Sequence, residues 1–169
     1  MPQIEGSGAT ALRVAGVPVN GTDEVQTLTI DATGGTFKLK FDGHTTAPIA
    51  WSNVNATLIA NIDAALEALP NIGTGGVTTA VGTMTAGVGT ATITFTGNNG
   101  KKAVPTITVA LNSLTGTATC SVAETTPGVD ATFRGWGKGT EIVDTTNGIA
   151  YINTGTALAP TWTKTGTQT

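Results

Sequence analysis

Between Glu24 and Pro70 the spacing of apolar residues changes once, and that change decides what the segment can become. Leu28 and Ile30 alternate with Thr27 and Thr29, and Phe37, Leu39 and Phe41 alternate with Thr36, Lys38 and Lys40. A period of two sends one set of side chains to one face of an extended chain, so these stretches read as half-buried strands. The link Asp31-Ala32-Thr33-Gly34-Gly35 supplies the Asp and Gly of a hairpin turn, because glycine accepts positive φ without a side-chain clash. Asp42-Gly43 is a second turn, leading to an expected third strand from Thr45 to Trp51. The period then becomes helical: Leu58, Ile62, Ala65, Leu66 and Leu69 recur at steps of three and four and line one face. Asn53, Asn55 and Thr57 are candidate N-caps. Pro70 stops the helix, which is expected at about 55–69.

The rest of the chain returns to alternation. Strands are expected at 77–84, 91–96, 104–111 and 117–123, separated by turns at 86–89 and Gly97-Asn98-Asn99-Gly100. From Phe133 onward the character changes. This tail holds Phe133, Trp136, Tyr151 and Trp162. Asn147-Gly148 predicts a tight hairpin, since both residues tolerate positive φ. A small β-meander follows, with strands at Ile142-Val143, Ile149 to Asn153 and Pro160 to Lys164. Three strands this short are marginal unless they pack against something. The expected class is therefore α+β, mostly antiparallel sheet with one helix. The expected organisation is an extended N-terminal arm at 1–22, a main domain at 23–128 and a C-terminal β-meander at 133–169.

Composition supports that class. Charged residues make up 11% of the 169 residues, against roughly a quarter in average soluble proteins. Thr takes much of their place, and its branched Cβ favours strands. Uncharged strands leave sheet edges without the Lys and Pro that usually protect them, so the edges are either short and twisted or covered by another subunit. The net charge of −3 and the absence of any cationic run beyond Lys101-Lys102 give no support for nucleic-acid binding. No apolar run is long enough to span a bilayer as a helix, and MPQIEGSGAT lacks the basic and apolar regions of a secretory signal.

No catalytic constellation emerges. His44 is the single histidine, set in the turn FDGHTT, and no serine sits in a G-x-S-x-G elbow. Asp31 and Asp42 read as turn residues. The Gly-rich stretches GTGG and GNNGKK lack the following helix of a phosphate loop. Asp23, Glu24, Asp130 and Asp144 lack calcium-loop spacing. Cys120 in TATCSVA reads as a small core hydrophobe. The chain is expected to be no enzyme, with no metal site and no cofactor.

The hairpin, the phrase TTAPIAW, the Asn/Ala-rich helix start and the run AALEALPNIGTGGVT together resemble a module of tailed-bacteriophage virion proteins, capsid decoration proteins among them. The resemblance covers roughly Glu24 to Pro127. The tail pattern DTTNGIAYINTGT followed by PTW is similar to β-segments at the C-termini of phage fibre, baseplate and decoration proteins. The resemblance implies a structural virion protein that binds the major capsid protein on the outer surface of the shell, as a homo-oligomer expected to be a trimer, and stabilises the head. A tail, baseplate or head-fibre role is the alternative, and a carbohydrate-binding adhesin module is another. Leu12, Val14 and Val17 of the arm and Trp136, Tyr151 and Trp162 of the meander are the candidate interface residues.

Overall fold

The computed structural model describes residues 12–167. In chain order the strands are β1 (Leu12–Val14), β2 (Val25–Asp31), β3 (Gly34–Phe41), β4 (His44–Thr45) and β5 (Ile49–Ala50). Helix α1 (Asn55–Glu67) follows, then β6 (Val77–Val81), β7 (Gly89–Phe95), β8 (Thr108–Thr115) and β9 (Thr119–Thr126). The last three strands are β10 (Glu141–Asp144), β11 (Ile149–Asn153) and β12 (Trp162–Thr167). The protein is α+β and mostly antiparallel, as the alternation predicts. It divides into a main unit, Gly21–Asp130, and a small unit that joins Met1–Asn20 to Ala131–Thr169.

In the main unit one sheet runs β6-β7-β2-β9, and in the other β3 lies between β8 and the short strands β4 and β5. Leu28 and Ile30 from β2, Ile93 and Phe95 from β7, Phe37, Leu39 and Phe41 from β3, and Leu58, Ile62 and Leu66 from α1 share one buried core. The Phe41 and Phe95 rings meet across it, with centroids 5.0 Å apart.

The expected hairpin between the first two strands does not form. β2 pairs with β7 and β9, while β3 pairs with β4, β5 and β8, so the chain passes from one sheet to the other at Ala32-Thr33. It passes back at Gly116-Thr117-Ala118, and the two crossings lie side by side. The Thr33 N–H donates to the Thr115 carbonyl at 2.8 Å. Gly35 (φ +90°) lies so close to the Ser113 carbonyl that a Cβ there would sit 2.3 Å from it. Alternation states which side chains face inward. It does not state whether two inward faces share one sheet or oppose each other across a core.

Other expectations are corrected in detail. The expected third strand is two fragments, β4 and β5, broken around Pro48, which has no N–H to give to a ladder. Asp42 (φ +41°) and Gly43 (φ +85°) do make a tight turn with both residues at positive φ. The helix N-cap is Val54 and carries no side-chain cap bond. Asn55 instead ties the β6–β7 loop down: its Nδ2 donates to the Met84 carbonyl at 2.8 Å and its Oδ1 accepts from the Gly87 N–H at 2.8 Å. β8 begins four residues later than expected because side chains at the start of β2 and just before it take over the preceding backbone. Glu24 Oε2 accepts from the Val104 N–H at 2.8 Å, and Gln26 Oε1 from the Ile107 N–H at 2.8 Å. Gln26 Nε2 donates to the Pro105 carbonyl at 3.1 Å and to Glu24 Oε1 at 2.6 Å. Buried polar groups need such partners, and here they hold a loop where the apolar pattern reads as strand.

The small unit is a sheet in the order β1-β10-β11-β12. The meander β10-β11-β12 is antiparallel, as expected. The expected arm is only partly an arm. Leu12–Val14 is an edge strand that pairs in parallel with β10, with Leu12 opposite Ile142 and Val14 opposite Asp144. Residues 1–11 of that expected arm lie outside the described residues. Three meander strands leave one side of their apolar face uncovered, and a segment more than a hundred residues away in sequence covers it. No local pattern signals such a parallel pairing. The β10–β11 connection is a four-residue loop, Thr145–Gly148, rather than a two-residue turn, with only Gly148 at positive φ (+65°).

Candidate functional site: an open sheet edge and an aromatic loop platform

An unpaired strand edge presents free N–H and C=O groups to any passing strand, and proteins normally block it. In the main unit, the edge of β6 is blocked by α1. Asp63 Oδ1 accepts from the Thr79 N–H at 2.9 Å, and Glu67 Oε1 accepts from the Gly75 N–H at 2.6 Å just ahead of the strand. The edge of β8 is blocked by Asn112, whose Oδ1 accepts from the Leu114 N–H at 3.1 Å and whose Nδ2 donates to the Ala118 carbonyl at 2.6 Å. A register shift opposite Lys38 and Leu39 also bends that strand. β4 and β5 are two residues each. β9 differs. It is eight residues long, carries only Glu124 as a charge, and among the described residues pairs with β2 alone. Ser121 and Ala123 are exposed along it.

In the small unit the six expected interface residues separate into two groups. Tyr151 and Trp162 are buried with Ile142, and Leu12 and Val14 pack partly buried against them. The Trp162 Nε1–H donates to the Thr132 carbonyl at 2.9 Å, so the indole is satisfied inside the unit. These four residues hold the small unit together and are not a free surface. Val17 and Trp136 do stay exposed, at 61% and 48%.

Trp136 sits in Phe133-Arg134-Gly135-Trp136-Gly137-Lys138-Gly139, and the fold holds that loop firmly. Asn153, with no exposed surface, is the organiser. Its Nδ2 donates to the Trp136 carbonyl at 2.7 Å, and its Oδ1 accepts from the N–H groups of Gly155 and Thr161 at 2.9 and 3.0 Å. The Gly135 N–H donates to the Ala157 carbonyl at 2.7 Å, and Arg134 Nε to the Leu158 carbonyl at 3.1 Å. One buried amide thus fixes two loops, and the Trp136 side chain on the first of them stays half exposed. The Asn was not legible as a site residue, because nothing in Ile149–Asn153 shows which distant backbone groups its amide meets.

Asp144 is the second organiser. Burial raises its carboxyl, but donors from the Asn147 side chain and the N–H groups of Thr146, Asn147 and Gly16 outweigh this and hold it below the ordinary 3.8. The Gly16 bond, at 2.9 Å, clasps the end of β1 to the β10–β11 loop. A carboxyl depressed in the folded state binds its proton later than in the unfolded chain. Its stabilisation is therefore complete above an unfolded value of about 3.9 and is lost as pH falls through the folded value. We expect the small unit to lose stability below pH 4, as followed by amide exchange of β10 and β11, and Asp144→Asn to flatten that part of the profile. A profile unchanged by Asp144→Asn would show that other carboxyls govern it.

The remaining chemistry is sparse. Cys120 is partly buried, and burial pushes its thiol up to about 11, which leaves it protonated and unreactive at neutral pH. His44 is exposed at the start of β4, opposite Phe41. Among the described residues no three His, Cys, Asp or Glu side chains cluster as metal ligands, and no helix is long and apolar enough to cross a membrane.

No protein-family model matches the chain, and no curated protein matches it. A chain in a solved structure from Mycobacterium phage Patience is similar to it, at 21% identity and a TM-score of 0.44, over 82% of this chain and 44% of that one. This chain therefore spans less than half the length of that neighbour.

Proposed function

We propose that this chain is a structural virion protein of a tailed bacteriophage, a capsid decoration protein held on the outer surface of the shell by its main unit. The carrying observation is the open edge of β9, left unblocked where the other edges of the main unit are blocked by Asp63, by Asn112 or by brevity. A strand from the major capsid protein, or from a neighbouring copy in a trimer, adds there through main-chain hydrogen bonds. The resemblance of Glu24 to Pro127 to phage virion modules supports the same reading.

The test uses capsids stripped of accessory proteins. The double variant Ser121→Lys, Ala123→Lys puts two charges on exposed positions of β9 without touching the core. It should unfold at the same temperature as the parent and lose capsid binding by at least tenfold. Undiminished binding of the folded variant overturns the edge assignment. Cryo-microscopy of the particle that places the chain on the tail overturns decoration in favour of a tail or baseplate role.

A further inference from the structure

We infer that Asn20 is a site of spontaneous covalent modification, where the side-chain amide closes on the Gly21 nitrogen and hydrolyses to aspartate and isoaspartate. The chain holds three Asn-Gly pairs: Asn20-Gly21, Asn99-Gly100 and Asn147-Gly148. In each, the glycine nitrogen can attack the asparagine Cγ by closing a five-membered ring, and the missing glycine Cβ leaves that nitrogen open. By sequence the three pairs are equivalent. The tertiary structure separates them.

Two of the pairs are held back from reaction. The Asn147 Nδ2, the group that has to leave, donates to Asp144 Oδ2 at 2.7 Å, and the attacking Gly148 N–H donates to the Asp144 carbonyl at 2.9 Å. Asn99 is 5% exposed, its Nδ2 donates to the Asn71 carbonyl at 2.8 Å, and the Gly100 N–H donates to the Gly97 carbonyl at 3.3 Å. Reaction at either pair waits for these bonds to open locally. At Asn20 the pattern is reversed. The residue is exposed, and neither its Nδ2 nor the Gly21 N–H meets an acceptor among the described residues. The oxygen is the atom that is bonded: Asn20 Oδ1 accepts from the Trp162 N–H at 2.6 Å. A donor at that position withdraws density from Cγ and stabilises the negative charge that the oxygen acquires under attack.

Water is the only co-reactant, and nothing is oxidised or reduced. Solvent takes the proton from the Gly21 nitrogen, the N–Cγ bond forms, the Cγ–Nδ2 bond breaks, and Nδ2 leaves as ammonia with a proton returned from solvent. Water then opens the cyclic imide. Opening at Cγ gives aspartate at 20, which keeps an acceptor for the Trp162 N–H. Opening at the Asn20 backbone carbonyl gives isoaspartate, which draws the former side-chain oxygen into a main chain lengthened by one carbon. That product takes the acceptor away from the first N–H of β12.

The full chain is incubated at neutral pH, folded in buffer and, in parallel, unfolded in urea. Mass spectrometry follows the three Asn-Gly peptides, each conversion adding about 1 Da. Folded, Asn20 should convert no more slowly than it does in urea, and Asn99 and Asn147 should convert more slowly than Asn20 by about tenfold or more. Amide exchange reads the consequence: the Trp162 N–H should lose protection in the isoaspartate-containing chain and keep it in Asn20→Asp. The inference is overturned if Asn20 converts more slowly folded than unfolded, if Asn99 or Asn147 keeps pace with it in the folded chain, or if isoaspartate at 20 leaves the Trp162 N–H as protected as before.

Discussion

Trp162→Ala is expected to destabilise the small unit by about 3–5 kcal/mol, the range for removing a buried aromatic side chain. The indole is 6% exposed, packs with Ile142 and Tyr151, and donates through Nε1 to the Thr132 carbonyl. Its own backbone N–H is held by Asn20 Oδ1 at 2.6 Å, so the residue joins β12 to both the N-terminal segment and the start of the C-terminal one. Among the described residues the buried apolar cluster of this unit holds three side chains, Ile142, Tyr151 and Trp162, so little is at hand to fill the cavity. Amide exchange of β10, β11 and β12 should accelerate by more than a hundredfold in the variant. Trp162→Phe restores most of the volume but leaves the Thr132 carbonyl without its donor, and should cost about 1–3 kcal/mol. Unchanged exchange in Trp162→Ala would mean that the ring does not hold the sheet together.

Gly35→Ala should be among the most damaging methyl additions in the main unit, and it is the one that tests the crossing. Its φ of +90° disfavours any L side chain, and the new Cβ would stand 2.3 Å from the Ser113 carbonyl and 2.8 Å from the Leu114 Cα. Both obstacles are backbone atoms of β8 and cannot rotate away. Gly43→Ala is the natural control, with φ of +85° and nothing within 4 Å of the added carbon. The control should cost about 1–2 kcal/mol, the strain of a left-handed residue alone. Gly35→Ala should cost at least about 2 kcal/mol more, in the range of overpacked cores. Denaturant midpoints of the two variants measure the difference directly. Equal costs would show that β3 and β8 separate easily at the crossing, and the paired-crossing account of the fold would fail.

The parts of the fold that were legible rest on periodicity over short windows. Leu28 and Ile30, Phe37, Leu39 and Phe41, and Leu58, Ile62 and Leu66 all lie in the core, as their spacing of two or of three and four requires. The Asp42-Gly43 turn and the meander of β10, β11 and β12 were equally readable, since turn chemistry and alternation act within a few residues. The candidate site was legible only in part. Trp136 was identifiable as a large aromatic in a glycine-rich stretch. The sequence grouped it with Trp162 among the interface candidates, and their fates are opposite: Trp162 is 6% exposed and Trp136 48%.

What the sequence determined by itself is which residues must leave water and in what local geometry, because a side chain's face is set by the backbone dihedrals of its own segment. Only the tertiary structure decided which faces oppose one another. It placed β2 and β3 in different sheets, joined Leu12–Val14 to β10, buried Trp162 and left Trp136 in solvent. It also decided which sheet edges meet a blocking side chain and which, like β9, do not. Those outcomes depend on pairings between segments tens to more than a hundred residues apart. The free energy that selects among them is spread over the shared core rather than written in any one segment.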